Sequence, residues 1–223
     1  PTPLLYYSCF ELGADGGIIV TGSHNPKEHN GFKLVLNNKP FFGESLMELS
    51  KKAENFNFKK MNGSVKRFSL MDKYIKRLVK NFNQKKKINI IWDSGNGAAG
   101  EVMRVLAKKI VGKYELLFSS IDGTFPNHHP DPSDHKNLVF CKKRLLDLKY
   151  NVGFAFDGDG DRLGVIDDKG RIISGDKLLL LLAKEMLKSQ KCKVIGDVKC
   201  SQVLFDEVER LGGQIFMSKT GHS

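Results

Sequence analysis

Between residues 88 and 166, short apolar runs alternate with helical stretches and polar turns. That alternation narrows the available folds more than any other feature of the chain. Ile88 to Trp92 reads as a buried strand. Ala98 to Val111 reads as a helix with Val102, Val105, Leu106 and Ile110 on one face, and Tyr114 to Phe118 as the next strand. The segment Phe125 to Pro132 holds three prolines, which excludes regular structure there. Ser133 is then expected to cap a helix carrying Leu138, Val139, Leu145 and Leu148. Val152 to Phe156 and Leu163 to Ile166 follow as strands. Strand–helix–strand order of this kind predicts an α/β fold with mixed, mostly parallel sheets flanked by helices.

The alternation restarts downstream. A helix runs from Gly175 to Met186, a strand from Val194 to Val198, a Ser201-capped helix to Leu211 and a strand from Gln214 to Met217. Upstream, Gly17 to Val20 and Phe32 to Leu36 read as strands around a polar loop. Leu46, Leu49, Ala53 and Phe56 mark one helix; Tyr74, Ile75, Leu78, Val79 and Phe82 mark another. Residues 55–69 are polar and irregular. We expect three units, 1–65, 66–173 and 174–223.

Composition excludes several classes. The longest apolar run, Leu178 to Ala183, is six residues, far short of the roughly 18 that span a bilayer. The formal charge of +11 admits an anionic partner such as nucleic acid, a membrane surface or a phosphorylated metabolite. Only 7 of the 36 basic residues are Arg, however, and Lys is the poorer reader of base edges. Lys85-Lys86-Lys87 reads as a solvated turn, so no nucleic-acid or membrane partner is expected. Cys9, Cys141, Cys192 and Cys200 form no C-x-x-C pair, which points to a reducing, cytoplasmic compartment.

Four motifs carry chemistry. Asp157-Gly158-Asp159-Gly160-Asp161-Arg162 places three carboxylates at alternating positions, with glycines that let the backbone curl. Three spaced acids repel one another without a cation, and oxygen ligands suit Mg²⁺ or Ca²⁺. Position 6 is Arg162 rather than the glycine an EF-hand loop needs, and its flanks read as strands. Thr21-Gly22-Ser23-His24-Asn25-Pro26 offers a serine that can serve as nucleophile or phosphate carrier, or simply as a turn. Lys33, on the next strand, suits phosphate contact or proton transfer, or is an exposed strand lysine. Gly95-Asn96-Gly97-Ala98-Ala99-Gly100 matches the dinucleotide fingerprint, but the nearest acid, Asp122, lies 27 residues after Gly95. A turn whose glycines permit close packing is the expected reading, with a dinucleotide-dependent oxidoreductase as its rival. Lys199 and His222 stand at or just beyond ends of strands, where ligands gather in open α/β sheets. His128 and His129 are read as loop structure rather than a metal pair.

Taken together, these strings, with Asn30-Gly31-Phe32-Lys33, Asp197-Val198-Lys199 and Lys219-Thr220-Gly221-His222, resemble the α-D-phosphohexomutases. Among these, the bacterial phosphomannomutase/phosphoglucomutase branch is most similar, down to the Pro1-Thr2-Pro3 opening and the Pro130-Asp131-Pro132 loop. The resemblance implies repeated phosphohexomutase-type domains: the end of domain I in 1–65, domain II in 66–173 and the start of domain III in 174–223. It implies interconversion of hexose 1-phosphate and hexose 6-phosphate through a phosphoserine, Ser23, and a hexose 1,6-bisphosphate. Ser23 would join Asp157, Asp159 and Asp161 around one Mg²⁺. His24 and Lys33 would assist proton transfer. Arg162, Lys199, Thr220, Gly221 and His222 would hold the sugar and its phosphate. The set of domains is incomplete by this resemblance, and both ends read as cuts. The chain as given is therefore expected to keep the phosphoserine and metal loops without mutase turnover, with a decayed, non-catalytic mutase fragment as the alternative. The sequence does not decide between mannose, glucose and aminosugar phosphates, nor does it give the oligomeric state.

Overall fold

The computed structural model describes residues 1–54, 62–80, 82–83 and 85–220. Residues 55–61, Phe56 among them, lie outside these, as do Gly221 and His222.

Helix α1 (Thr2–Leu12) opens with Pro3 in its first turn and ends on Gly13 in the left-handed conformation, φ 57°. It packs on a three-stranded antiparallel sheet of β1 (Gly16–Val20), β2 (Phe32–Leu36) and β3 (Lys39–Phe41). The β2–β3 hairpin turns on Asn37 and Asn38, both at positive φ, as a two-residue turn requires. Gly17 lets α1 approach closely, its missing Cβ giving way to the Cys9 sulfur. Register pairs Ile18 with Leu34 and Val20 with Phe32. These side chains share the face opposite α1, and Ile18, Val20 and Phe32 are exposed there. Helix α2 (Glu44–Glu54) follows and buries no residue.

Helix α3 (Met71–Val79) leads into a five-stranded sheet of order β5-β4-β6-β7-β8. Its members are β4 (Ile90–Asp93), β5 (Tyr114–Leu117), β6 (Val152–Phe156), β7 (Leu163–Asp167) and β8 (Ile172–Ile173). Strand β4 lies between β5 and β6 and is wholly buried. Ile90 and Trp92 pack under α4 (Gly100–Leu106), with Ala99, Met103 and Ala107. Ile91 faces α5 (Val139–Leu148) with Leu138, Cys141 and Leu145. Tyr74 and Ile75 of α3 join Val102 of α4, with Leu4 and Tyr7 of α1 against them, so helices of the first two units share a core.

Helix α6 (Gly175–Leu187), β9 (Lys193–Asp197), α7 (Gln202–Arg210) and β10 (Gln214–Ser218) form a third layer pair around Ala183, Leu204 and Val208. Ser201 caps α7 by accepting the Val203 N–H. No helix among the described residues is long and apolar enough to cross a membrane.

Three expectations need correction. The sheets are mixed but not mostly parallel. Strands β4–β5, β4–β6 and β9–β10 pair parallel, whereas β1–β2, β2–β3, β6–β7 and β7–β8 pair antiparallel. The reason is connection length: the Asp157–Arg162 loop is too short for a crossover, so β7 must return antiparallel beside β6. The helix expected to Val111 stops at Leu106 and tightens into a 3₁₀ turn at Ala107–Lys109. Asp134, not Ser133, caps the next helical stretch. Its carboxylate accepts the Lys136 N–H, while the Ser133 hydroxyl donates to Asp131 at 2.6 Å.

Candidate active site

The acidic string closes the β6–β7 hairpin, and its geometry follows from the backbone. Asp157 Oδ1 accepts the N–H groups of Asp161 and Arg162, both at 3.0 Å, so the loop curls around its own first carboxylate. Gly160 takes φ 75° at the turn. One carboxylate oxygen from each of Asp157, Asp159 and Asp161 lies within 4.8 Å of the others.

The polar loop between β1 and β2 meets this turn across the shared core. Ser23 Oγ is 3.0 Å from Asp157 Oδ2, 3.3 Å from Asp159 Oδ1 and 3.2 Å from His24 Nδ1. One hydroxyl proton cannot serve three acceptors, which leaves a pocket of oxygen lone pairs. Ser23 adopts φ 51°, a left-handed conformation uncommon for a residue with a Cβ. Its N–H donates to Thr21 Oγ1 at 2.8 Å. A cleft of about 260 Å³ opens beside it, lined by Thr21, Asn25, Asn96 and Gly97.

Asp159 is the hub. Its Oδ2 accepts Thr2 Oγ1 at 2.8 Å, Thr21 Oγ1 at 3.3 Å and Lys33 Nζ at 2.6 Å. Lys33 Nζ also lies 2.6 Å from Asp161. Burial works to raise the Asp159 carboxyl, but Lys33 and Thr2 outweigh it and hold it below the usual range. Burial likewise opposes the Lys33 charge, and the two carboxylates reverse that, so Lys33 keeps its proton more firmly than a free lysine. Asp157 is pushed up to about 6, chiefly by burial and then by the charges of Asp159 and Asp161. His24 is lowered by burial and by the neighbouring Arg162 charge, which favours the neutral imidazole.

This donor set fits a small, hard cation: oxygen ligands alone, three carboxylates from one turn, and a hydroxyl facing two of them. The ammonium of Lys33 is shared between two of the three carboxylates.

Of the expected site residues, Ser23, His24, Lys33, Asp157, Asp159, Asp161 and Arg162 thus come together. Lys199 and Thr220 meet elsewhere. The Lys199 N–H and the Thr220 hydroxyl both donate to Asp197, at the carboxyl ends of β9 and β10. No hydrogen bond or ion pair among the described residues joins them to Ser23 or the aspartates. The glycine turn 95–100 is filled by the chain itself. A Cβ on Gly97 would stand 2.6 Å from the Gly158 oxygen, and one on Gly100 would strike the Ser119 carbonyl. Sequence reasoning missed Thr2, whose hydroxyl and N–H both reach Asp159, and His129, whose Nε2 lies 2.7 Å from the His24 carbonyl oxygen.

A hydroxyl, an imidazole, an ammonium and three carboxylates that could hold a cation therefore meet on an α/β scaffold. Comparison with known proteins gives the family. Models of the phosphoglucomutase/phosphomannomutase α/β/α domains I, II and III match residues 1–60, 72–170 and 174–223. A phosphomannomutase/phosphoglucomutase of Pseudomonas putida is 38% identical over the whole chain, which covers 48% of that protein. A phosphoglucomutase of Neisseria meningitidis is 40% identical, with 49% of it covered. A solved phosphoglucomutase/phosphomannomutase family protein from Burkholderia thailandensis superposes on 93% of this chain and 46% of its own, with TM-score 0.89 and 41% identity. At 17% identity and TM-score 0.61, an Aspergillus fumigatus N-acetylphosphoglucosamine mutase, solved with GlcNAc-6P and magnesium, shares the fold. The chain belongs to the phosphoglucomutase/phosphomannomutase family, and it spans about half the length of the curated relatives it matches.

Proposed function

We propose that Ser23 is a phosphoryl carrier, through which the family's whole protein interconverts hexose 1-phosphate and hexose 6-phosphate. The observation that carries this reading is the Ser23 hydroxyl held 3.0 and 3.3 Å from Asp157 and Asp159, 134 and 136 residues away in sequence. Asp157, Asp159, Asp161 and Ser23 would hold one Mg²⁺, which when bound neutralises charge on the transferring group. Magnesium in the Aspergillus relative supports that choice of ion.

The remaining work falls to the chain's own groups. As the Ser23 Oγ–phosphorus bond breaks, a bond from a sugar hydroxyl oxygen to phosphorus forms. The bonding pair stays on Ser23 Oγ, and the hydroxyl proton passes to His24, whose Nδ1 lies 3.2 Å from that oxygen. Lys33, paired with Asp159 and Asp161, is assigned to assist the same proton transfer. Arg162, Lys199, Thr220, Gly221 and His222 are assigned to the sugar and its phosphate. The second hexose phosphate oxygen later returns its phosphoryl group to Ser23, by way of a hexose 1,6-bisphosphate. Domain boundaries near residues 66 and 173 belong to the same proposal, as does a reducing compartment, supported by four cysteines present as thiols.

The test is direct. The purified chain is incubated with glucose 1,6-bisphosphate and Mg²⁺ and its intact mass recorded. We expect one added phosphoryl group, absent in Ser23→Ala, with no sustained conversion of glucose 1-phosphate. An unlabelled Ser23 overturns the carrier role.

A further inference from the structure

We propose that His129, braced by the buried pair Asp93–His128, is a positioning residue for the Ser23 loop; the proposal rests on the reading of Ser23 as phosphoryl carrier. The loop from Phe125 to Pro132 belongs to the five-stranded unit, yet it touches the Ser23 loop on the other unit. His129 Nε2 donates to the His24 carbonyl oxygen at 2.7 Å. A carbonyl only accepts, so Nε2 of His129 carries hydrogen.

What holds His129 in place is its neighbour. His128 Nε2 lies 3.1 and 3.2 Å from the two oxygens of Asp93, the last residue of β4. His128 Nδ1 lies 3.0 Å from the His129 carbonyl. Carboxylate and carbonyl both accept, so both ring nitrogens must carry hydrogen and the ring is an imidazolium. Its side chain is 9% exposed and that of Asp93 0%, a buried ion pair. Phe118 meets the ring edge-on at 5.3 Å and Phe140 stacks on it at 6.3 Å. Asp93 Oδ1 also accepts the Gly95 N–H at 2.9 Å, and the Asp131 N–H donates to the His129 carbonyl at 2.9 Å. Pro130 is fully buried against Gly95.

A continuous line of short contacts therefore runs from the end of β4 to the carbonyl of His24. Ser23, one residue earlier, holds a left-handed φ that its surroundings must enforce. Fixing the His24 peptide fixes the orientation of both the carrier hydroxyl and the His24 ring. His128 and His129 thus do separate jobs, one as anchor and one as clamp.

The test uses the 223-residue chain and three variants. His129→Leu removes the donor, His129→Gln keeps an amide donor near the Nε2 position, and Ser23→Ala reports on the carrier. His129 is exposed, so its replacement leaves the core untouched. Amide hydrogen exchange at Asn25, whose N–H donates to Gly22, reads loop order without any phosphoryl chemistry. Intact mass against time reads phosphoryl uptake from glucose 1,6-bisphosphate. For His129→Leu we expect exchange about 10-fold faster and uptake about 10-fold slower, with Mg²⁺ affinity within about 2-fold of the parent. His129→Gln should restore most of both. Parental exchange in His129→Leu, or a Gln variant no better than the Leu variant, overturns the clamp. If the parent takes no phosphate, the carrier reading fails, and the exchange comparison still decides the clamp.

Discussion

Gly97 and Ser23 both press on Gly158, and that gives the sharpest prediction. A Cβ on Gly97 would lie 2.6 Å from the Gly158 oxygen, 2.9 Å from its Cα and 3.0 Å from its carbonyl carbon. Real Cβ atoms essentially never come nearer than 3.0 Å and sit comfortably at 3.4 Å, so Gly97→Ala needs a retreat of about 0.4–0.8 Å. All three opposing atoms are backbone. Behind them the Ser23 carbonyl oxygen fills the place of a Gly158 Cβ. The acidic loop is tied to itself through Asp157, so it should move as a unit and keep its three carboxylates together. What suffers is the contact with Ser23, already 3.0 and 3.3 Å long. Overpacking of this size costs about 1–3 kcal/mol, or roughly 2–4 °C in Tm per kcal/mol for a chain of this length. Trp92, the single tryptophan and buried on β4, reports that loss by fluorescence. Phosphoryl uptake by Ser23 should slow by about 10-fold or more, while Mg²⁺ binding by calorimetry falls by less. Parental Tm together with parental uptake would refute the reasoning. Loss of Mg²⁺ binding with uptake intact would refute it as well, because it would mean that the acids, not the serine, had been displaced.

Other outcomes follow from the same contacts. His128 has its pKa raised because Asp93 outweighs burial, so its stabilising effect is full below about pH 6.5 and fades as pH climbs through the raised folded value. Asp93→Asn should cost about 3 kcal/mol at pH 6 and abolish that slope in urea titrations followed at Trp92. The nearby Cys141 thiol stays protonated, pushed up by burial and by Asp93, and adds nothing to it. Lys33→Met should destabilise the metal-free chain by about 1–2 kcal/mol, less than a fully buried pair because the lysine is partly exposed. Saturating Mg²⁺ should erase most of that difference in a thermal scan, and a deficit that persists would show that Lys33 acts through packing alone. Finally, the native chain should bind a hydrophobic dye on the face of Ile18, Val20 and Phe32, and Ile18→Lys with Phe32→Lys should lower that fluorescence without shifting the Trp92 transition.

Local pattern carried much of this architecture. β2 and β6 span the residues that alternation and flanking turns indicate, because each is a short apolar run with clear punctuation. α1 escaped because Leu4, Leu5, Tyr6, Tyr7, Cys9 and Phe10 spread apolar bulk around the helix and leave no single stripe. β3 contains Pro40 and β8 is two residues long, and neither makes a pattern. The glycines of 95–100 were legible as punctuation, but not their purpose, which is to admit the backbones of Gly158 and Ser119. The acids, serine and lysine announced themselves by type and spacing. Thr2 and His129 could not, since each acts on a residue more than 100 positions away.

Those distances along the chain also set an order in time. Every bond that joins Ser23, Thr21, Thr2 or Lys33 to the acidic turn spans between 126 and 157 residues. Loops that long close slowly and gain nothing until both ends are already structured. The hydroxyl therefore meets its carboxylates only after both sheets have formed and docked through α1 and α3. A partly folded chain keeps the serine and the acids apart. Phosphate on Ser23 would then mark a chain whose first two units have folded and docked.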